Sequence, residues 1–358
     1  MRIDLVQRPE DVSPQWLGTV LRASGAASSD ATVVGFESAA IGTGQMSQSY
    51  RFSLTWDERG PAGPASVVLK VAAADDTSRS TGIGLGIYER EIRFYQEVAP
   101  RIGGPVATCH LAEYDATEGW FTLVLEDSAP AAQGDQIEGC TVDEGRLAMR
   151  ELARIHAPVW NDPELVAAGW LNQPSMVSQA LVEQLLKGFL ERYDARIAPE
   201  HRGVVERFVA RLDPYLAERR SPFSIVHGDY RLDNMLFGRP GSSRPLTVVD
   251  WQTVSWGQPL LDASYFLGAG LPVSERRAHE EALLREYYDR LLALGVNGFD
   301  WEACWEEYRR YTFHGVLMAV IAPMLVVRTE RGDDMFMTSM ARHAQQVIDL
   351  QAEELLST

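Results

Sequence analysis

The sequence predicts an α+β chain with a small, mainly antiparallel sheet in its first third and a larger helical part after it. Three observations carry this. Short β-rich runs recur early, at Thr32–Phe36, Tyr50–Leu54, Val67–Val71, Ala107–Tyr114 and Trp120–Leu125. From Thr141 onward apolar residues recur at helical spacing. A single island, Ile225–Trp251, interrupts the helices with two brief apolar runs, Met235–Phe237 and Leu246–Val249, joined by a Gly/Ser/Pro turn.

The elements follow in order. Ser13-Pro14 opens a helix, with Ser13 as cap and Pro14 in the first turn. Trp16, Leu17, Val20 and Leu21 share one face of it, and Gly25 ends it. Asp57–Pro64 reads as a hairpin connection, and Ile87–Val98 as a helix. The run Gly82-Ile-Gly-Leu-Gly86 follows no strand directly and does not complete a dinucleotide-binding pattern, so it reads as a flexible link into that helix. Thr141-Val-Asp-Glu144 is a capping box for a helix through Leu147, Leu152 and Ile155, ended by Pro158. The expected division is residues 1–126 for the sheet-bearing part, 127–139 for a linker with Pro130, Gly134 and Gly139, and 140–358 for the helical part.

With 46% hydrophobic residues in 358, the chain can bury a substantial core. Its formal net charge of −17 argues against nucleic acid and anionic membrane as partners. Cys109, Cys140 and Cys304 are odd in number and far apart, which suits neither a disulfide framework nor a zinc site. The N-terminal MRIDLVQRPEDVSP lacks the apolar core of a signal peptide, and the apolar run Val316–Val327 is broken by Pro323 and too short to span a bilayer. The expected compartment is the cytoplasm.

Chemistry concentrates in the island: His227-Gly-Asp-Tyr-Arg-Leu-Asp-Asn234, then Val248-Val-Asp250-Trp-Gln. Asn234 follows Asp229 by five positions, and Asp250 comes 16 later at the end of an apolar strand. Phosphoryl transfer needs these residue types: a carboxylate to orient the attacking hydroxyl, oxygen ligands for Mg²⁺, and cations for the phosphates. Arg231 is a candidate cation for the transferring group. A polar β-turn with a buried ion pair would use some of the same residues, but the flanking strands favour the catalytic reading.

The run His227–Asn234 with Asp250 resembles the aminoglycoside phosphotransferase and choline-kinase superfamily. Leu152-Ala-Arg-Ile-His156-Ala-Pro-Val-Trp160 and Leu123-Val-Leu-Glu126-Asp127 draw the resemblance toward its ecdysteroid-kinase-like branch. The resemblance covers about Ile41 to Leu267. It implies a protein-kinase-like, two-lobed fold and an ATP- and Mg²⁺-dependent transfer to a small-molecule hydroxyl. It implies Asp229 as catalytic base, Asn234 and Asp250 as Mg²⁺ ligands, His227 as a histidine bracing the loop, and Asp262 as an acid supporting it. His156 reads as a core or interface histidine.

The first third offers matching candidates. Lys70 ends the strand Val67-Val-Leu-Lys and would face the α- and β-phosphates. Glu91, 21 positions on, is the first choice for its carboxylate partner, with Glu89 and Glu97 as alternatives. Ile41–Ser49 stands where a phosphate-covering loop would lie, with Gly42, Gly44 and Ser47 as candidate contacts; a tight hairpin is the rival reading. Glu126 and its neighbours fall at the expected hinge, where backbone groups would meet adenine. Trp251-Gln252 replaces the Phe-Gly of protein kinases, so no activation-loop switch is expected. The acid-rich Trp301–Glu307 segment, with Trp256, Trp301 and Trp305, would hold a cationic acceptor or simply pack. The competing functional classes are a non-catalytic pseudokinase scaffold and a protein kinase. Aminoglycosides, other antibiotics, sugars, amino alcohols and steroid-like alcohols all suit the resemblance as acceptors, and neither nucleotide preference nor oligomeric state is legible.

Overall fold

Val67, Leu69 and Val71 project to one face of their strand and Val68 and Lys70 to the other, the period of two of a β-strand. The protein is described by a computed structural model covering residues 3–42, 46–57, 63–173 and 175–356. It divides into two units.

The first unit comprises residues 1–101, 106–131 and 249–253. Its sheet contains β1 (Val33–Ile41), β2 (Ser47–Trp56), β3 (Ser66–Ala72), β4 (Cys109–Asp115) and β5 (Trp120–Glu126), ordered β1-β2-β3-β5-β4 with every neighbouring pair antiparallel. Helix α1 (Pro14–Ala23) begins where Ser13 accepts the Trp16 N–H at 3.1 Å. Its Leu17, Val20 and Leu21 pack with Phe52, Val67, Leu69, Val71 and Val124 on one sheet face. Helices α2 (Asp76–Gly84) and α3 (Ile87–Arg93) follow β3, and a π-helical turn, Phe94–Val98, extends α3.

Two expectations change here. The Gly82–Gly86 run is not a flexible link: its first three residues close α2, which Asp75 caps by accepting the Ser78 N–H at 2.8 Å. Gly82 is a glycine because the Tyr88 ring fills the space a Cβ would need, and Gly86 turns the chain into α3 at φ +67°. The Ile41–Ser49 loop is also shorter than expected. Cross-strand pairing continues to Ile41 opposite Ser49, and β2 begins at Ser47.

The second unit comprises residues 102–105, 132–248 and 254–358. Helix α4 (Val142–His156) opens with the capping box: Glu144 N–H donates to Thr141 Oγ1 at 3.2 Å, and Thr141 N–H to Glu144 Oε2 at 2.9 Å. Ala148, Met149, Leu152 and Ile155 form its buried face. Short helices and longer ones follow: α5 (Pro163–Val166), α6 (Gln179–Tyr193), α7 (Pro199–Val209), α8 (Leu212–Ala217), α9 (Leu260–Gly270), α10 (Val273–Ala293), α11 (Trp301–Arg310), α12 (Thr312–Leu325) and α13 (Glu330–Asp349). The island supplies small antiparallel pieces: β6 (Ala132–Gln133), β8 (Met235–Phe237) and β9 (Leu246–Val248) in one, β7 (Ser224–Val226) and β10 (Ser255–Gly257) in another. Among the described residues, no helix is long and apolar enough to cross a membrane.

The α4 capping box satisfies two backbone groups at once. Thr141→Ala is expected to lower unfolding stability by about 1 kcal/mol, read as a drop in urea midpoint at constant slope.

Candidate active site

Lys70 occupies the sheet face opposite Val67, Leu69 and Val71, and this directs its ammonium toward α3. Its Nζ stands 2.8 Å from Glu91 Oε1, 2.7 Å from Glu91 Oε2 and 2.8 Å from Asp250 Oδ1. Glu91 is therefore the helix carboxylate that meets it, whereas Glu89 and Glu97 pair with Arg93. Burial opposes the Lys70 charge, but the carboxylates of Asp250 and Glu91 outweigh it and hold the ammonium above the ordinary lysine range. Asp250 sits in the left-handed region at φ +67°, a conformation that aspartate tolerates better than most residues. Trp251 behind it is fully buried and stacks on Phe94 at 4.0 Å and 9°. Gln252 Nε2 donates to Asp250 Oδ2 at 3.2 Å.

The other first-unit candidates lie in the strands and turns. Gly42 takes φ +73° beyond the end of β1; Gly44 lies outside the described residues. Ser47 is buried, opposite Ala72. Glu126 closes β5, where its N–H donates to the Thr108 carbonyl at 2.8 Å and its carboxylate accepts the Thr108 hydroxyl at 2.6 Å.

In the second unit, β7 runs directly into the His-Gly-Asp loop. Two successive amides, of His227 and Gly228, face one carboxylate, and Gly228 at φ +80° then turns the chain toward Asp229. Asp262, fully buried on α9, accepts His227 N–H at 2.6 Å and Gly228 N–H at 2.9 Å. His156 Nε2 lies 3.4 Å from the same carboxylate, and its Nδ1 is 2.8 Å from the Tyr287 hydroxyl. His227 Nδ1 accepts the Asp229 N–H at 3.2 Å.

The Asp229 carboxylate receives three side chains. Arg231 Nε reaches Oδ1 at 2.9 Å and Oδ2 at 3.1 Å, Asn234 Nδ2 reaches Oδ2 at 2.8 Å, and the Tyr265 hydroxyl reaches Oδ1 at 3.2 Å. Asn234 Nδ2 also donates to the Asp229 carbonyl at 2.9 Å, and its Oδ1 accepts no hydrogen bond among the described residues. The second arm of Arg231 meets Asp233 Oδ2 at 2.5 Å. Burial works against the Arg231 charge, and Asp229 with Asp233 overcomes it and raises its pKa. Tyr265, Asp233 and His314, whose Nε2 lies 3.1 Å from the Gly228 carbonyl, were not singled out from sequence. The available signal was helical spacing: Tyr265 lies three residues beyond Asp262 on α9 and so shares its face.

The tryptophan-rich segment packs on itself. Trp301 and Trp305 stack at 5.9 Å, and the Arg285 guanidinium lies 3.4 Å from the Trp301 ring centroid, taking the place a cationic ligand would need on that face.

With this geometry in place, comparison with known proteins identifies the chain's class. The model of the ecdysteroid kinase-like family matches residues 42–295, more than half of the chain, and the chain belongs to that family. It is thus a member of a small-molecule-kinase-like group. The structure of a microcompartment-associated aminopropanol kinase is similar at 14% identity and a TM-score of 0.57, covering 95% of this chain and 99% of that one. A GDP complex of a point mutant of aminoglycoside 2'-phosphotransferase-IIIa is similar at 13% identity and a TM-score of 0.51, covering 96% and 99%. These likenesses show the protein-kinase-like α+β fold. Among curated sequences, acyl-CoA dehydrogenase family member 11 of Rattus norvegicus is 38% identical over 60 residues, 15% of this chain and 8% of that protein. Acyl-CoA dehydrogenase family member 10 of Mus musculus is 38% identical over 61 residues, 17% and 6% respectively. The chain thus spans under a tenth of the length of these two relatives.

Asp262→Ala would leave two backbone amides without their acceptor. The expected loss of stability is roughly 3 kcal/mol, measured by chemical denaturation, with the Asp262→Glu variant showing whether a carboxylate one carbon longer restores it.

Proposed function

We propose that the protein is an ATP- and Mg²⁺-dependent phosphotransferase that moves the γ-phosphoryl group to a hydroxyl of a small molecule, of the amino-sugar, aminoglycoside-like or other alcohol class. The observation that carries this reading is the Asp229 carboxylate, partly exposed and held by Arg231, Asn234 and Tyr265. A carboxylate fixed by three donors is pre-oriented to receive an acceptor hydroxyl.

In this reading the acceptor oxygen bonds to the γ-phosphorus, and the bond from that phosphorus to the β–γ bridging oxygen breaks. ADP leaves with the electron pair, and the hydroxyl proton passes to Asp229. Lys70, kept charged by Glu91 and Asp250, supplies the cation for the nucleotide phosphates. Gly42, Gly44 and Ser47 are the proposed phosphate-loop contacts, and the backbone around Glu126 the proposed adenine contact. Asn234, through its uncommitted Oδ1, and Asp250, through its carboxylate, are the proposed magnesium ligands; each offers the oxygen donor that this ion takes in a shell otherwise filled by phosphate oxygens and water. When bound, the ion would neutralise charge on the β- and γ-phosphate oxygens. Arg231, tied to Asp229 and Asp233, orients the base in this state and becomes a phosphoryl contact only by releasing one of them.

Nucleotide use is supported by the GDP held in the aminoglycoside 2'-phosphotransferase-IIIa structure, and an amino-alcohol acceptor by the name of the aminopropanol kinase. A pseudokinase scaffold gains no support from the residue set, because each position the chemistry requires is filled. The test is nucleotide-dependent turnover against amino sugars, sugars, choline-like amines and apolar alcohols, with ATP and GTP compared. Asp229→Ala is expected to lower kcat by about a thousandfold or more while calorimetry shows nucleotide affinity within about twofold of wild type. Near-normal turnover in that variant would remove Asp229 as the base.

A further inference from the structure

Tyr265 is held on three sides, by two histidine rings and by the Asp229 carboxylate. Its half-buried ring lies parallel to the His343 imidazole, 4° between planes and 5.2 Å between centroids. The His314 ring meets it edge-on at 5.2 Å and 70°, and His314 Nε2 lies 3.1 Å from the carbonyl of Gly228, next to the base. The Tyr265 hydroxyl reaches Asp229 Oδ1 at 3.2 Å.

The packing behind this arrangement is specific. His343 is fully buried on α13. Gly315 of α12 and Gly268 of α9 both face its ring, and a Cβ at either position would fall well inside van der Waals contact of the imidazole. Two helices therefore give up a side chain at the point where this one ring must fit, although glycine inside a helix costs about 1 kcal/mol relative to alanine. Burial, with His314 nearby, pushes the His343 pKa down to about 3, so the ring stays neutral and presents a flat aromatic surface. Burial and the Asp229 charge raise the Tyr265 pKa, which keeps its hydroxyl proton available for donation.

We propose that Tyr265 is a positioning residue for phosphoryl transfer, fixing the Asp229 carboxylate through its hydroxyl, and that His343 serves as the wall that fixes Tyr265. This rests on the kinase reading above. Arg231 and Asn234 pull on the carboxylate from the loop itself, within five residues of Asp229. Tyr265 is the donor that comes from a helix, and α9 also carries Asp262, the acceptor of the loop amides. One rigid helix thus sets both the backbone of the loop and the rotation of its carboxylate. His343 touches no reacting atom and acts only through Tyr265.

The test compares Tyr265→Phe, His343→Ala and the double variant in turnover, with Asp229→Ala alongside. Loss of a hydrogen bond to a charged group is expected to lower kcat about ten- to a hundredfold in Tyr265→Phe, with KM for ATP within about twofold. His343→Ala is expected to lower kcat in the same sense, and the double variant to be no slower than Tyr265→Phe, because the second change acts through the first. Undiminished kcat in Tyr265→Phe, with Asp229→Ala dead, overturns the positioning role and leaves the kinase reading standing. Multiplying losses in the double variant overturn the assignment of His343. Wild-type turnover in Asp229→Ala overturns the kinase reading itself. A readout that needs no acceptor is the NMR resonance of ¹³Cζ-labelled Tyr265, assigned by its absence in Tyr265→Phe. It is expected to move in Asp229→Ala, and a resonance that stays in place overturns the hydrogen bond on which the proposal stands.

Discussion

The His-Gly-Asp loop depends on one buried carboxylate. Asp262 has no exposure to water, and its two oxygens take the amides of His227 and Gly228. A buried carboxyl group is tolerated only when its oxygens have partners, and two backbone N–H groups reach them, with His156 Nε2 3.4 Å away. Beyond the two amides the chain turns at Gly228, whose positive φ a residue with a Cβ would resist. Asp229 then leaves the turn with its N–H on His227 and its carboxylate outward, toward Arg231, Asn234 and Tyr265.

Much of this was legible in the sequence, and what escaped did so for physical reasons. The strands announced themselves as short β-rich runs, and the structure of β3 puts Lys70 on the face away from Leu69. For the helix partner of Lys70 Glu91 was the first choice, with Glu89 and Glu97 left as alternatives because a small error in helical phase separates them. The structure agrees with the first choice: Glu91 is buried against Lys70, and Glu89 and Glu97 remain half-exposed around Arg93. The Gly82–Gly86 run misled because glycine signals flexibility on average, whereas here Gly82 is required by the Tyr88 ring and Gly86 by a left-handed turn. Tyr265 carried no motif at all. A tyrosine on an apolar helix is ordinary core until the fold brings a carboxylate to its hydroxyl.

Arg231 shows how one cation can be suited to more than one role. Spacing two beyond Asp229 singled it out as a cation near the transferring group. In the folded loop its two arms are taken by Asp229 and Asp233, so its charge is already balanced. A cation neutralised by two carboxylates attracts a further anion weakly, and its first effect is on the orientation of Asp229. This is geometry that a count of positions along the chain does not contain.

The segment around Asp250 resolves a departure that the sequence raised. Where protein kinases place Phe-Gly, this chain has Trp251-Gln252. A glycine there permits the backbone to swing, and a phenylalanine can enter or leave its pocket. Trp251 is instead buried without exposure, flat against Phe94 of the turn that extends α3. Gln252 holds Asp250 through Oδ2, and Arg90 of α3 reaches the Gln252 carbonyl at 3.4 Å. Turning this segment outward would expose a large aromatic surface, break the stack and strip Asp250 of its amide donor together. Lys70 binds the segment from the opposite side, through Asp250 Oδ1, and binds α3 through Glu91. Helix, strand and Asp250 segment are thereby coupled in one ion-paired and stacked unit, in which any movement of the aspartate would have to break several contacts at once.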